Sequence, residues 1–436
     1  MPPLTNADRT AVLVALLMVA AADPAVALDA ELSVGYTGEY STNTTLAGSD
    51  EEEIDEWVHL PGADLRLSQA GAALEMAADY RVERRIYEKE LFDDETAVRG
   101  TADVVWHALP ERLDFNLRNT RAESTIRARQ PNTEANRQTV SITEAGPTLR
   151  LRPQSNAEIQ VEYLYSDVSV EETNTDSERQ TGAARYVLDL SSIRTLTLEA
   201  ARRDVDFDDP VAPDLESTIG TVTLDHAGRE LTYSLSGGYN RTKRELDRDT
   251  VDGAIFDVNV QWTPRPATTL GLEASRDIRD QSSSLLAGGG GRGDFIDEET
   301  DVNEIFTESR AAATWNQRLG ANDLALTLSA TEEDYEDIPR DSERLAIALG
   351  LTRALNQRTT LRGRIELGNR KFLDTDEEYD EIRGSLDLSR RLSRRFTVTV
   401  GAYYEERDSD EIAESSYDEW VGRISVTYRI VGEEAR

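Results

Sequence analysis

The stretch Phe396-Thr397-Val398-Thr399-Val400-Gly401-Ala402-Tyr403-Tyr404 decides the fold. In an extended chain Phe396, Val398, Val400, Ala402 and Tyr404 fall on one side, and Thr397, Thr399, Gly401 and Tyr403 fall on the other. Period two with one apolar face is the pattern of a β-strand. The same alternation runs through Thr195–Ala200, Leu231-Tyr233-Leu235, Phe256-Val258-Val260-Trp262, Leu324-Leu326-Leu328 and Ile424-Val426-Tyr428-Ile430. A helical stripe would recur every three to four residues, and none is sustained after Leu28.

The connections fall into two alternating kinds. Short turns are expected near Gln69-Ala70-Gly71, Pro110-Glu111-Arg112, Pro153–Asn156, Ser191-Ser192, Ala227-Gly228, Pro264-Arg265-Pro266, Gly320-Ala321-Asn322, Asn356-Gln357 and Ser393-Arg394. Between them lie acidic stretches such as Asp50–Glu53, Glu171–Asn174, Asp204–Pro213 and Asp374–Glu378. Turns recur about every 36 to 44 residues, a spacing that a propeller or solenoid could also produce. One interval is longer, stretched by Ser282–Glu304. Each interval holds a rising strand, a long loop and a falling strand, so nine turns imply ten hairpins and twenty strands, with eighteen as the alternative count.

Short turns at one end and long loops at the other are the arrangement of an outer-membrane barrel. Lipid offers no water to satisfy an open sheet edge, so a spanning sheet must close on itself. The tryptophans support a membrane wall. Trp106, Trp262 and Trp315 lie near short turns, Trp57 and Trp420 follow acidic loops, and all five fall on descending strands. Residues 1–27 read as a secretory signal: Arg9 precedes an apolar run from Ala11 to Ala22, and Ala25-Val26-Ala27 has the small residues a signal peptidase accepts. Residues 28–436 are then an all-β, antiparallel up-and-down barrel exported to the outer membrane of a Gram-negative cell.

Bulk composition narrows the function. The net charge is -36 and cysteine is absent, which argues against a nucleic-acid partner and excludes thiolate chemistry. Mean hydropathy is -0.54. Three histidines, His59, His107 and His226, are too dispersed to assemble a Ser–His–Asp site, so neither an enzyme nor a cofactor is expected. The acidic clusters Asp50–Glu53 and Asp374–Asp380 lack an EF-hand's spacing and suit loose cation bridging to lipopolysaccharide.

If the aliphatic face meets lipid, the alternate positions line the lumen. These include Arg118, Arg150, Arg152, Arg185, Glu199, Asp257, Glu273, Arg362, Arg364, Glu366, Arg383 and Arg423. An Arg or Lys facing lipid at mid-depth costs about 2–4 kcal/mol, which favours the inward assignment. Their mixed signs read either as a selectivity lining or as cross-strand ion pairs in a wet interior. The Ser282–Glu304 loop, with Gly288–Gly291, is the expected segment for narrowing the pore; its Arg292-Gly293-Asp294 spells an adhesion tripeptide that arises easily by chance.

The turns Leu190–Leu196, Leu355–Leu361 and Leu392–Val398 share an outline of Leu, polar residues, Arg, then Thr with aliphatics. With Thr268–Glu273 and the ending Ser425-Val426-Thr427-Tyr428-Arg429, this style of strand and turn resembles the β-barrel porin 2 group, outer-membrane barrels associated with exopolysaccharide and PEP-CTERM gene clusters. The resemblance covers about Leu28 to Ile430. It implies an outer-membrane conduit or accessory for secreted polysaccharide, working with export machinery, with no cofactor and no site residues to carry over. The other function class is a non-conducting barrel that acts through its acidic loops.

Overall fold

The computed structural model describes residues 28–48, 52–127, 130–171, 176–209, 212–244, 250–280, 296–299, 305–336, 338, 340–375, 377–409 and 416–431. The signal-peptide assignment at residues 1–27 falls outside them. The first strands are β1 (Asp29–Ser41), β2 (Glu56–Ala70), β3 (Leu74–Tyr87), β4 (Glu95–Leu109) and β5 (Leu113–Thr125). A short 3-10 turn, Glu134–Asn136, precedes β6 (Arg137–Gln154), β7 (Ala157–Val170), β8 (Ser177–Ser191), β9 (Arg194–Phe207) and β10 (Leu215–Ala227). Next come β11 (Leu231–Arg244), β12 (Thr250–Arg265), β13 (Thr268–Asp280), the four-residue β14 (Ile296–Glu299), β15 (Ile305–Leu319) and β16 (Asn322–Tyr335). The last described strands are β17 (Ser342–Asn356), β18 (Thr359–Phe372), β19 (Glu378–Arg391), β20 (Phe396–Ser409) and β21 (Tyr417–Val431).

All of these except β14 form one antiparallel wall in chain order. The wall closes where β1 pairs with β21, from Ser33↔Arg429 to Ser41↔Val421, and the Thr37 hydroxyl donates to Ser425 at 3.0 Å. The result is a closed up-and-down barrel of twenty strands, with all nine expected short turns in place. We take the short-turn end as periplasmic and the long-loop end as extracellular.

Directly paired residues share a face, so the register assigns every side chain. The outward set carries Leu198, Val222, Leu235, Phe256, Leu272, Leu328, Leu345, Ile347, Ile365 and Leu386, all exposed. Trp57, Trp106, Trp262 and Trp420 are exposed on the same face, and Trp315 joins it opposite Leu270 and Leu326. A water-facing surface of this extent would aggregate, whereas lipid accepts it.

The apolar band does not reach the strand tops. On β9 the outward sequence is Leu196, Leu198, Ala200, then Arg202 and Asp204; on β11 it is Leu235, Gly237, Tyr239, then Arg241 and Lys243. Glu216 on β10 pairs with Arg202 at 3.2 Å and with Lys243 at 3.6 Å. Crossing needs about 9–11 tilted residues. Strands of 13 to 18 residues therefore rise above the membrane at their extracellular ends.

Candidate functional site

The register puts all twelve charged residues selected from the sequence on the face opposite the apolar band. Most are neutralised by neighbours. The Arg118 guanidinium donates to Asp103 at 2.7 Å. Arg150 meets Asp114, and Arg152 donates to Glu158 and to Glu111, both at 2.9 Å. Arg185 lies between Glu162, at 2.5 Å, and Glu199. Arg364 pairs with Glu366 at 2.7 Å, Arg383 with Glu405 at 3.2 Å and Arg423 with Asp387 at 2.7 Å. Most of these ties join neighbouring strands, and Arg364–Glu366 lies within β18.

Three residues stand apart. Asp257 lies opposite Ser236 and Ser275, and Glu273 opposite Asn259 and Ala312. Arg362 lies opposite Asp387, which Arg423 already holds with both carboxylate oxygens.

The histidines are distributed as the strand count implies. His59 Nδ1 is 2.6 Å from the Tyr36 hydroxyl, and His226 stacks on Tyr233. His107 Nδ1 is 2.7 Å from Asp114 and its Nε2 is 3.4 Å from Glu75, so carboxylates flank both ring nitrogens. Among the described residues no group of three or more His, Cys, Asp or Glu is placed to hold a metal ion. Asp50, Glu51 and Asp376 of the two acidic clusters lie outside those residues.

The most consequential geometry is at the extracellular end. Strand β5 pairs with β4 only from Leu113 to Arg121, the last pair being Gly100↔Arg121. It continues beside β6 to Thr125. Above Arg121 the strand leaves the wall and turns inward. Alternation puts Glu123 on the outward side of β5, yet its carboxylate accepts two hydrogen bonds from Arg85, at 2.7 and 2.9 Å, and pairs with Arg99 at 2.9 Å. Arg85 and Arg99 are on the inner faces of β3 and β4. The outer face of the β5–β6 tip thus lies against the inner wall, and Ala122, Glu123, Ser124 and Thr125 are all buried.

The loop beyond is held at several points. Arg85 donates to Glu134 at 3.2 Å, the Tyr87 hydroxyl donates to Glu134 at 2.8 Å, and Arg407 of β20 donates to the Gln130 carbonyl at 3.3 Å. Asn136 organises the tip internally. Its amide nitrogen donates to the carbonyls of Arg127, Gln130 and Pro131, and its oxygen accepts from the Arg127 amide.

A second hairpin behaves in the same way. Strand β13 pairs with β12 only below Phe256↔Arg276, but with β15 up to Asp280↔Ile305. Above Arg276 the nominally outward Ile278 and Ile305 bury against inward Val205, Phe207 and Leu215. Asn240 donates to the Ile278 carbonyl at 3.2 Å, and fully buried Arg179 of β8 holds Asp280. The two infolds meet: β14, in the connection between β13 and β15, pairs in parallel with Ser124 and Thr125 of β5.

Both infolds begin where the outer face stops being apolar. On β5 the outward residues run Phe115, Leu117, then Asn119 and Arg121; on β13 they run Leu270, Leu272, Ala274, then Arg276. Unpaired backbone groups cost several kcal/mol each in hydrocarbon. The ladder therefore stays complete through the lipid band and parts only above it. Gly100 marks one parting point: its φ is +149, and a Cβ there would lie 2.1 Å from the Asp79 carbonyl oxygen.

The sequence reading assigned constriction to Ser282–Glu304. Of that segment only Ile296–Glu299 is described, and it lies against β5; Gly288–Gly291 and Arg292-Gly293-Asp294 fall outside. The reading missed the β5–β6 tip. Its available clues were the charged residues Arg121 and Glu123 at outward positions next to Gly100.

No known family profile matches this sequence, and no curated protein does so significantly. Many solved structures do match. The siderophore receptor PirA from Acinetobacter baumannii aligns over 93% of this chain and 81% of its own length, with a TM-score of 0.50 and 7% identity. The fold is that of an outer-membrane barrel. PirA from Pseudomonas aeruginosa aligns with a TM-score of 0.48, 10% identity and coverages of 92% and 80%. OccK2 (OpdF) from Pseudomonas aeruginosa aligns with a TM-score of 0.41, 10% identity and coverages of 93% and 98%. At such identities the likeness concerns the fold alone.

Proposed function

We propose that this chain is an outer-membrane channel, gated at its extracellular end, for small hydrophilic solutes or secreted polysaccharide. It reaches the membrane through the signal at residues 1–27, and its acidic loops face lipopolysaccharide. The observation that carries the reading is a twenty-strand wall around a charged, water-compatible interior, with the mouth crossed by hairpins that hydrogen bonds and ion pairs hold in place. A lumen of this strand number is too wide for wall side chains to fill. The infolds sit above the lipid band, where a strand end can leave the wall without exposing its backbone to hydrocarbon.

The test is single-channel conductance of the refolded mature chain in a planar bilayer. Wild type is expected to give small or brief steps, and deletion of residues 127–135 is expected to give larger and longer ones. Absence of current from both, in heat-modifiable barrels, refutes a channel. That outcome would favour the second reading, a non-conducting barrel acting through its loops, for which the buried Arg85–Glu123 and Arg179–Asp280 ties are the supporting observation.

A further inference from the structure

At the periplasmic end, the β17–β18 and β19–β20 turns stand beside the start of β1 and the end of β21. Arg358, Arg391, Arg394, Arg395 and Arg429 converge there on a cavity of about 440 Å³. Glu31 is the one carboxylate among the described lining residues, in a chain whose net charge is -36. Glu31 is already shared, at 3.0 Å from Arg429 and 3.8 Å from Arg66. The Arg358 guanidinium forms no ion pair among the described residues.

Leu392 and Ser393 of the β19–β20 turn also line it, as do Ser33, Thr397 and Thr427, and these last three lie on the inward face. The cavity therefore opens on the water of the lumen, which excludes a lipid headgroup. Above it on the inner face of β18 come Arg362 and then Arg364, two residues apart and so about 7 Å further up the wall. The guanidinium fork matches carboxylate and phosphate oxygens in bidentate fashion. A basic inner mouth raises the local concentration of anions.

We infer that this arginine cavity is a binding site for a soluble oligoanion carrying carboxylate or phosphate groups, taken from the periplasmic side and passed to Arg362. The passage upward rests on the channel reading; the binding does not.

The experiment is calorimetric titration of the full, refolded chain in neutral detergent with hexagalacturonate, tripolyphosphate and uncharged maltohexaose. Saturable binding of either anion, weakening at least tenfold between 50 and 500 mM NaCl and absent for maltohexaose, is the expected result. The anion that binds identifies the source. R358Q/R391Q is expected to weaken that binding tenfold or more while keeping its heat-modifiable mobility, and R358Q alone, on the turn, by several-fold. No saturable binding of either anion to wild type at 50 mM NaCl overturns the inference, as does equal binding of maltohexaose or of a folded R358Q/R391Q. A barrel that binds the anion yet never conducts removes the channel and leaves this site standing.

Discussion

Glu123→Gln tests the infolded mouth most directly. The wild-type carboxylate makes a bidentate contact with Arg85 and a 2.9 Å contact with Arg99, and the three side chains are 4%, 8% and 14% exposed. Removing one partner of a buried ion pair costs about 3–5 kcal/mol. Here the cost is smaller, because Glu134 remains 3.2 Å from Arg85 and Glu83 remains 3.1 Å from Arg99. Neither guanidinium is left alone, and we place the loss at about 2 kcal/mol, roughly half the isolated-pair value. That energy is lost only when the tip is in the lumen; with the tip outside, the carboxylate and the amide that replaces it are both hydrated. At 1.36 kcal/mol per factor of ten, the tip-out population should rise about thirtyfold. Single-channel recording reads this as longer occupancy of the high-conductance level, with the level itself unchanged. Identical dwell times and conductance for wild type and a properly folded E123Q would refute the mechanism.

Phe207→Ala should loosen the second infold, since it removes a largely buried ring from the Val205–Ile278–Ile305 cluster, a change worth about 3–5 kcal/mol in a packed core; open-level occupancy should rise while the heat-modifiable mobility is retained. Gly100→Val should reduce refolding yield severely, because its Cβ would clash with the Asp79 carbonyl and its backbone occupies a conformation L residues avoid; gel mobility of boiled against unboiled samples reads the outcome. Arg362→Gln should leave thermal stability within about 0.5 kcal/mol, as expected where no ion pair is lost, but shift the reversal potential toward cations in a salt gradient. In the first loops the ammonium of Lys89, and then the Tyr40 hydroxyl, hold the exposed Asp55 carboxyl below the usual carboxylate range. This tie is fully present above the ordinary carboxylate value and is lost as pH falls through the lowered one. Carboxyl-carbon NMR should therefore find the Asp55 midpoint below that of an ordinary aspartate, and Lys89→Ala should raise it.

Twenty strands and nine turns were legible because period-two alternation and Gly, Pro and Asn breaks are local properties, as at Gly320-Ala321-Asn322 and Pro264-Arg265-Pro266. Face assignment followed from the same alternation, and for Arg185 or Arg423 it needed nothing more. At Glu123 and Asp280 it was insufficient. Their parity along the strand is unchanged, but the strand has left the wall, so an outward label points to the opposite inner surface. That departure depends on which neighbour stops pairing, which no single stretch encodes. The arginine cavity was hidden for a related reason. Arg358, Arg394 and Arg429 belong to separate hairpins and share a mouth only because the wall curves and closes.

That closure also orders the events of assembly. Every wall pairing joins strands that follow one another in the wall's chain order except one, in which Thr37 meets Ser425 across 388 positions. Until the last fifteen residues of strand arrive, β1 waits with an unsatisfied flank and β20 with another. A nascent chain of this kind is a curved ribbon with two sticky margins, equally able to capture a sister ribbon as its own end. Its fidelity turns on the final strand reaching its own first strand before a stranger's does.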